Sequence, residues 1–456
     1  MVSIGVFASL LDLFIVNIAF ADLRRDFPDA DLAQLSWVLN AYTIVFAALL
    51  VPAGRLVDLY GRKRGFVLGL TVFTVASAAC AAAPTAGWLV AARVAQGVGA
   101  AILTPSSLGV VLPAFPPRSR QAVIAGWAAV GAFGAAAGPP LGGLLVQASW
   151  RWVFLVNVPL GLVSIWYAAR HVRESRDPAA GGLPDVAGTL ALMLSVGALT
   201  LALVKGREWG WTDASTLVTT GAAAAMGVTA VVRSARHPAP VLELSLLRIP
   251  SFALAVTSAF AFFVAFAALL LAGVLFLTEV WGHSVLRAGL ELAPGPLMAL
   301  AFAAVAGRVG PRVGMPVVGG VGGLLVACGL LLNASLVGPT PDYLGTFLPG
   351  QLVTGAGVGL AMPAFTAVAV AAVGPARFST AIGISSMFRQ VGAALGVAAL
   401  VAVLGTPGPD AVLAAFRRGW VFMAVAAAVG GLLLVAARFA PARTFAAPER
   451  PAVRAG

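Results

Sequence analysis

At 456 residues, 60% hydrophobic and only 10% charged, with a mean hydropathy of +0.97, the chain is too apolar for a soluble globular protein, in which roughly a quarter of residues are charged. Its formal charge of +12 does not indicate nucleic acid, because 27 of the 29 Lys and Arg residues lie between apolar runs or at their ends. Cys80 and Cys328 each sit inside an apolar run with no Cys or His at ligand spacing, which argues against a disulfide framework and a zinc site.

Runs long enough to cross about 30 Å of hydrocarbon fall near 2–21, 36–54, 65–83, 87–113, 121–146 and 152–169. A basic segment, 170–185, leads into two more near 186–204 and 214–232. Beyond a loop with Arg233, Arg236 and Arg248, six further runs lie near 252–278, 289–306, 313–334, 345–373, 380–404 and 419–438. The expectation is an all-α polytopic membrane protein of fourteen helices: an N-terminal six-helix bundle (1–170), linkers with two inserted helices (171–250), a C-terminal six-helix bundle (251–440) and a tail (441–456). Ala19-Phe20-Ala21 mimics a signal-peptidase site, but Asp12 interrupts the apolar core and no basic segment precedes it, so the first helix is expected to be retained. Nineteen basic residues fall in one set of alternating loops and eight in the other. By the positive-inside bias both termini are cytoplasmic. Only Arg93 and Arg389 remain within apolar runs.

An internal repeat supports two related bundles. Gly97, Gly99 and Pro105 recur as Gly355, Gly357 and Pro363 at an offset of 258, and Arg120 to Gly126 matches Arg377 to Gly383 at 257. Gly54-Arg55 has a reduced echo in Gly307-Arg308. Three glycine and proline matches in register outweigh the chance coincidences of a chain with 52 glycines.

Charge is densest in Gly54 to Arg64, GRLVDLYGRKR. Asp58 and Arg62 stand one helical turn apart, Gly54 and Gly61 permit close backbone approach, and Arg62, Lys63 and Arg64 suit a helix end. A plain cytoplasmic anchor would also use the basic residues. The whole pattern, however, resembles the loop between the second and third helices of major facilitator superfamily transporters. That resemblance implies a conformational loop made by Gly54, Asp58, Gly61, Arg62 and Arg64, and two homologous halves with a substrate path between them. The second copy, after Gly307-Arg308, lacks the acidic residue.

Asp12 lies in the middle of the first run, where a carboxylate costs on the order of 2.5–3.5 kcal/mol. Such a residue is a candidate to bind and release protons, or else half of a helix-packing ion pair. Its natural partner is Arg93, in ARVAQGVG, which with Gln96, Gly97 and Gly99 resembles the fourth-helix motif of the family; simple backbone hydrogen bonding is the alternative. In the fifth run Gly134, Gly138, Pro139, Gly142 and Gly143 resemble the antiporter signature of drug exporters, though a packing seam would use the same glycines. Trp150-Arg151-Trp152 with Phe154, Asn157 and Pro159 is similar to the segment opening the sixth helix of the fourteen-helix drug:proton antiporters. In the second half Arg389 and Gln390 lie inside a helix, again as in that subfamily. They join Asn17 and Gln96 as expected cavity residues. Glu291 is a candidate second proton site, or a solvated acid near a helix start. His171, His237 and His283 lie in loops and suit a relay poorly.

The resemblance implies a proton-coupled exporter of hydrophobic small molecules, in some cases cationic, such as drugs or antibiotics, in a bacterial inner membrane. It would act as a monomer without metal or cofactor, with the proton gradient as energy source and substrate, protons and lipid as partners. A metabolite transporter on the same fold and a non-transporting membrane sensor are the alternatives. An enzyme would need an intramembrane catalytic constellation and a channel polar rings, and the sequence has neither pattern.

Overall fold

The computed structural model describes residues 2–111, 140–176, 183–373 and 378–440, with isolated positions between 116 and 138. Pro139, Arg118, Arg120, Arg377 and the tail 441–456 lie outside the described residues. Every regular element among these is helical. In chain order the long ones are α1 (Val2–Asp26), α2 (Leu32–Tyr60), α3 (Arg62–Ala81), α4 (Ala86–Val111), α5 (Trp152–His171), α6 (Val186–Trp209), α7 (Ala214–Arg236), α8 (Pro250–Val280), α9 (Val285–Val313), α10 (Met315–Leu336), α11 (Tyr343–Ala371), α12 (Phe378–Leu404) and α13 (Val412–Ala436). Residues 140–146, before α5, are also helical.

Twelve helices among the described residues are long and apolar enough to cross a membrane. At 25 residues α1 also has the length to span, about 37 Å. Most of the fifth sequence run, 121–146, falls outside the described residues. The run near 289–306 extends further than its hydropathy suggests, over Val285–Val313. It breaks at Ala293, where Pro294 and Pro296 follow and withhold two backbone donors. Glu291 therefore sits near the end of a short first segment, Val285–Leu292, and not at a helix start.

Local chemistry sets the helix ends. Asp31 caps α2, accepting from the Gln34 amide at 2.5 Å while the Gln34 side chain accepts from the Asp31 amide at 3.3 Å. The chain turns from α2 into α3 at Gly61, whose φ of 129° is costly for any residue with a Cβ. Leu68, Val75, Leu144, Leu162, Leu194, Val218 and Val228 are exposed on helix surfaces, as residues facing lipid would be.

The repeated glycines take equivalent places in the two halves. A Cβ on Gly99 would lie 2.5 Å from the backbone nitrogen of Phe73, and one on Gly69 2.7 Å from that of Leu103, so α3 and α4 cross with their backbones nearly touching. Gly322 and Gly357 give α10 and α11 the same crossing, with gaps of 2.6 and 2.5 Å.

The two halves meet along α2 and α12, where Ala47 packs with Met387 and Ile44 with Ala394. At one end Arg24 of α1 pairs with Glu279 of α8, and Gly143 approaches Leu286 of α9. The inserted pair does not stand apart from the bundles. Val196 and Leu192 of α6 join Ile44 and Ala394 in one cluster, so α6 covers the seam between the halves, while α7 packs outside it. Asp185 caps α6 through the Gly188 amide at 2.9 Å and holds Arg233 of α7 at 2.8 Å. Burial works to raise its carboxyl, but Arg233 and the Gly188 amide outweigh that and hold it below the usual carboxylate range.

Candidate functional site

Five helices converge on Asp12. The side chain is 0% exposed and accepts from Arg93 Nη1 at 2.5 Å, Gln96 Nε2 at 2.9 Å and Asn157 Nδ2 at 3.0 Å. Arg93, on α4 and 1% exposed, also donates from Nη1 to Gln96 Oε1 at 2.6 Å and from Nε to the Val38 carbonyl of α2 at 2.9 Å. Its guanidinium lies 4.1 Å from the centre of the Tyr42 ring, and Ser77 of α3 accepts from Gln96 Nε2 at 2.8 Å. The geometry follows from the glycines. Gly97, one residue past Gln96, lets α4 approach α2 so closely that a Cβ there would lie 2.8 Å from the Tyr42 carbonyl, which brings Arg93 within reach of both α2 and α1.

Such a site does one thing well. A buried guanidinium keeps its charge, so the carboxylate is the group whose charge can change. Protonating Asp12 turns an ion pair into a neutral acid beside an uncompensated cation, an arrangement that favours rearrangement of the helices that hold them.

The Gly54 to Arg64 stretch forms the expected loop and gains a partner from elsewhere. Arg62 Nε donates to Asp58 Oδ1 at 2.8 Å. Glu174, beyond α5, accepts from the backbone amides of Lys63 at 3.0 Å and Arg64 at 3.2 Å, and so caps the N-terminus of α3. Gly61 suits this turn because its φ of 129° strains any residue with a Cβ, and a Cβ there would also push the Glu174 carboxylate, 2.7 Å away, off its cap. Gly54 packs on Pro105 of α4. Within the antiporter-like segment Gly134 and Gly142 face α1, Gly138 is buried, and Gly143 faces α9 of the other half.

The remaining candidates do not join the Asp12 site. Glu291 accepts from Arg287 Nε at 2.8 Å and lies 2.7 Å from Nδ1 of His283, and Tyr343 donates to its backbone carbonyl at 2.8 Å. His283, which sequence reasoning set aside as a loop residue, is therefore buried and engaged. Arg389 projects between α11 and α8, donating to Ser386 at 2.7 Å and reaching Thr366 at 3.5 Å. Gln390 is buried on the α12 stripe that includes Met387 and Ala394 and faces α2, and its Nε2 has no partner among the described residues. Asn17 is buried on α1. Sequence reasoning missed the contacts of Tyr42, Ser77 and Glu174; it singled out Asn157 only as part of a motif.

The major facilitator superfamily model matches residues 2–397. The chain belongs to that superfamily. It is 35% identical over 405 residues to the multidrug resistance protein Stp of Mycobacterium tuberculosis (strain CDC 1551 / Oshkosh), covering 88% of this chain and 74% of Stp. It is 32% identical over 403 residues to the methylenomycin A resistance protein of Streptomyces coelicolor, covering 88% and 84%. A probable actinorhodin transporter of the same species is 34% identical, covering 87% and 69%. Among solved structures, a D-xylose-proton symporter superposes with a TM-score of 0.67 at 15% identity over 97% and 98% of the two chains, a likeness of fold.

Proposed function

We propose that this chain is a proton-coupled exporter of hydrophobic small molecules, drugs and antibiotics among them, with fourteen membrane helices and both termini in the cytoplasm of a bacterium. Its relatives carry names of multidrug and antibiotic resistance and export, which supports the substrate class. The observation that carries the coupling is the Asp12 site, a lone carboxylate at membrane depth among the described residues of the first half, saturated by Arg93, Gln96 and Asn157. A proton arriving on Asp12 weakens its hold on Arg93 and frees the helices to rearrange; its departure on the other side restores the pair. The membrane potential, worth about 2.3 kcal/mol per charge per 100 mV, then drives the exchange without a cofactor.

Asp12→Asn retains size and polarity but removes the titrating group. In vesicles with an imposed proton gradient it is expected to abolish gradient-driven transport and substrate-induced proton release while leaving substrate binding measurable. Full gradient-driven transport by this variant would reject the site and leave Glu291 as the next candidate. Reporter fusions at Arg176 and Arg236 should both report cytoplasm, and opposite sides for the two would break the count of fourteen.

A further inference from the structure

Arg389 is, with Arg93, one of the two basic residues within the apolar runs. The residue lies about midway along α12, part-buried, with neutral partners: the Ser386 and Thr366 hydroxyls and, 5.7 Å away, the Phe263 ring. No ion pair to a carboxylate forms there among the described residues. Nor is one within easy reach in the sequence, since the acids between α8 and α12 are Glu279, Glu291 and Asp342. Glu279 is engaged by Arg24, Glu291 by His283 and Arg287, and Asp342 caps the start of α11. Asp12, the carboxylate that would attract a cationic compound, is fully buried and holds three donors.

A guanidinium presents five N–H donors in a planar fork that matches the oxygen pair of a carboxylate and can also converge on the single oxygen of a phenolate. At membrane depth it is a standing demand for negative charge. The surroundings suit a planar ring: Phe263 packs against Phe262 and Phe266 with ring centres 6.1 and 5.6 Å apart, and Phe263 and Phe266 are part-buried. The helices on either side of Arg389, α8 and α11, are also the second-half counterparts of α1 and α4, which carry Asp12 and Arg93. Resting on the exporter reading, we infer that Arg389 binds the acidic group of the substrate, and that the exported compounds are aromatic acids carrying a carboxylate or phenolate. An inside-negative potential drives anions outward, so this sign of charge adds to the driving force, whereas a cation would leave against it.

Matched probes decide the sign of charge. Binding of 2-naphthoate, 2-naphthamide and 2-naphthylmethylammonium to the purified full chain in nanodiscs would be measured, without any gradient, for wild type, Arg389→Lys and Arg389→Gln. Wild type is expected to bind naphthoate about tenfold or more tightly than the amide, as a charge-assisted bidentate contact allows. The ammonium compound is expected to bind weakest. That preference should shrink in Arg389→Lys and vanish in Arg389→Gln, and binding of the amide should hardly change. An ammonium probe that binds wild type best overturns the inference, as does an anion preference that survives in Arg389→Gln. Should Arg389→Gln fail to fold, the order of the three probes on wild type still tests the inference, which stands if naphthoate binds tightest and falls if it does not. Gradient-independent binding also separates the two readings, because Asp12→Asn should keep the anion preference. If naphthoate binds through Arg389 but no proton gradient moves it, the exporter reading falls and the anion site stands.

Discussion

The two halves place one side chain in equivalent positions and give it different charges. The offset of 258 that relates Gly97 to Gly355 carries Arg93 onto Gln351. Arg93 donates to the Val38 carbonyl of α2 at 2.9 Å, and Gln351 donates to the Leu292 carbonyl of α9 at 2.8 Å, so each reaches the neighbouring helix at the corresponding place. Arg93 has Asp12 and Gln96 as further partners, with Asn157 beside them on the same carboxylate; Gln351 has only the Tyr343 hydroxyl and backbone among the described residues. The glycines beside both residues make the same close approaches. The fold thus needs a long hydrogen-bonding side chain there but not a charge, which leaves the charge in the first half to the coupling role proposed for Asp12 and Arg93.

The comparison breaks most sharply if the first half is made like the second. Arg93→Gln leaves the Asp12 carboxylate buried and uncompensated, and removing one partner of a buried pair costs about 3–5 kcal/mol. A large drop in thermal stability in detergent is expected. The double variant Asp12→Asn with Arg93→Gln reproduces the neutral arrangement around Gln351 and should recover most of that loss while remaining inactive in gradient-driven transport. If the double variant is no more stable than Arg93→Gln alone, charge is not what separates the halves.

The parts of this picture that were legible in the sequence are those carried by rare residues in apolar surroundings. Asp12 and Arg93 stand out because hydrocarbon tolerates neither alone, and the repeated glycines because helix crossings need them at fixed places. Contacts between distant polar groups were not legible. Asn157 meets Asp12 across 145 positions and Glu174 meets Lys63 across 111, and no helical period links such pairs; only the packing of α5 beside α1 and α3 does. His283 does lie in a loop, but it sits just before the short helix Val285–Leu292 and meets Glu291 near that helix's end, a contact that local hydropathy does not record. The place of α6 over the seam was hidden for a similar reason, since an apolar helix reads alike whether it faces lipid or another helix.

The shared scaffold can be tested at the crossings. Gly99→Val and Gly357→Val each push a side chain into backbone that a lone Cβ would approach to 2.5 Å, and overpacking of this kind costs about 1–3 kcal/mol. Similar losses of thermal stability in the two variants are expected if the crossings are equivalent. A harmless change in one half alone would limit the repeat to sequence.

A smaller effect distinguishes the two loops. Gly61, with φ 129°, corresponds to Gly314, with φ 96°, at the offset of 253 that links Gly54 to Gly307. Glu174 caps the helix that follows Gly61, whereas no side chain among the described residues caps the helix that follows Gly314. Glu174→Ala should therefore cost about 1 kcal/mol, as loss of an N-terminal cap does, and Asp58→Ala should slow transport with substrate affinity nearly unchanged. A large affinity loss in Asp58→Ala would move the loop into the substrate site.

The smallest expected effect concerns the contact between the halves themselves. Arg24 and Glu279 form the one ion pair between the two bundles among the described residues, and their side chains are 38% and 35% exposed. Water reaches both groups, so the pair is worth about 0–1 kcal/mol. Its place matters more than its strength, because it joins α1 to α8 at the end where Gly143 also meets Leu286. Rocking the halves open at that end must separate both contacts, and the glycine contact carries no charge to hold it. Glu279→Gln should therefore leave thermal stability almost unchanged while shifting the balance of conformations toward the form open at that end, by up to about fivefold for 1 kcal/mol. A cysteine placed at Ala21, beside the pair, would report the shift as faster labelling by a membrane-impermeant maleimide. Unchanged labelling would mean that the α2–α12 seam, with α6 across it, holds the halves together without help from the pair.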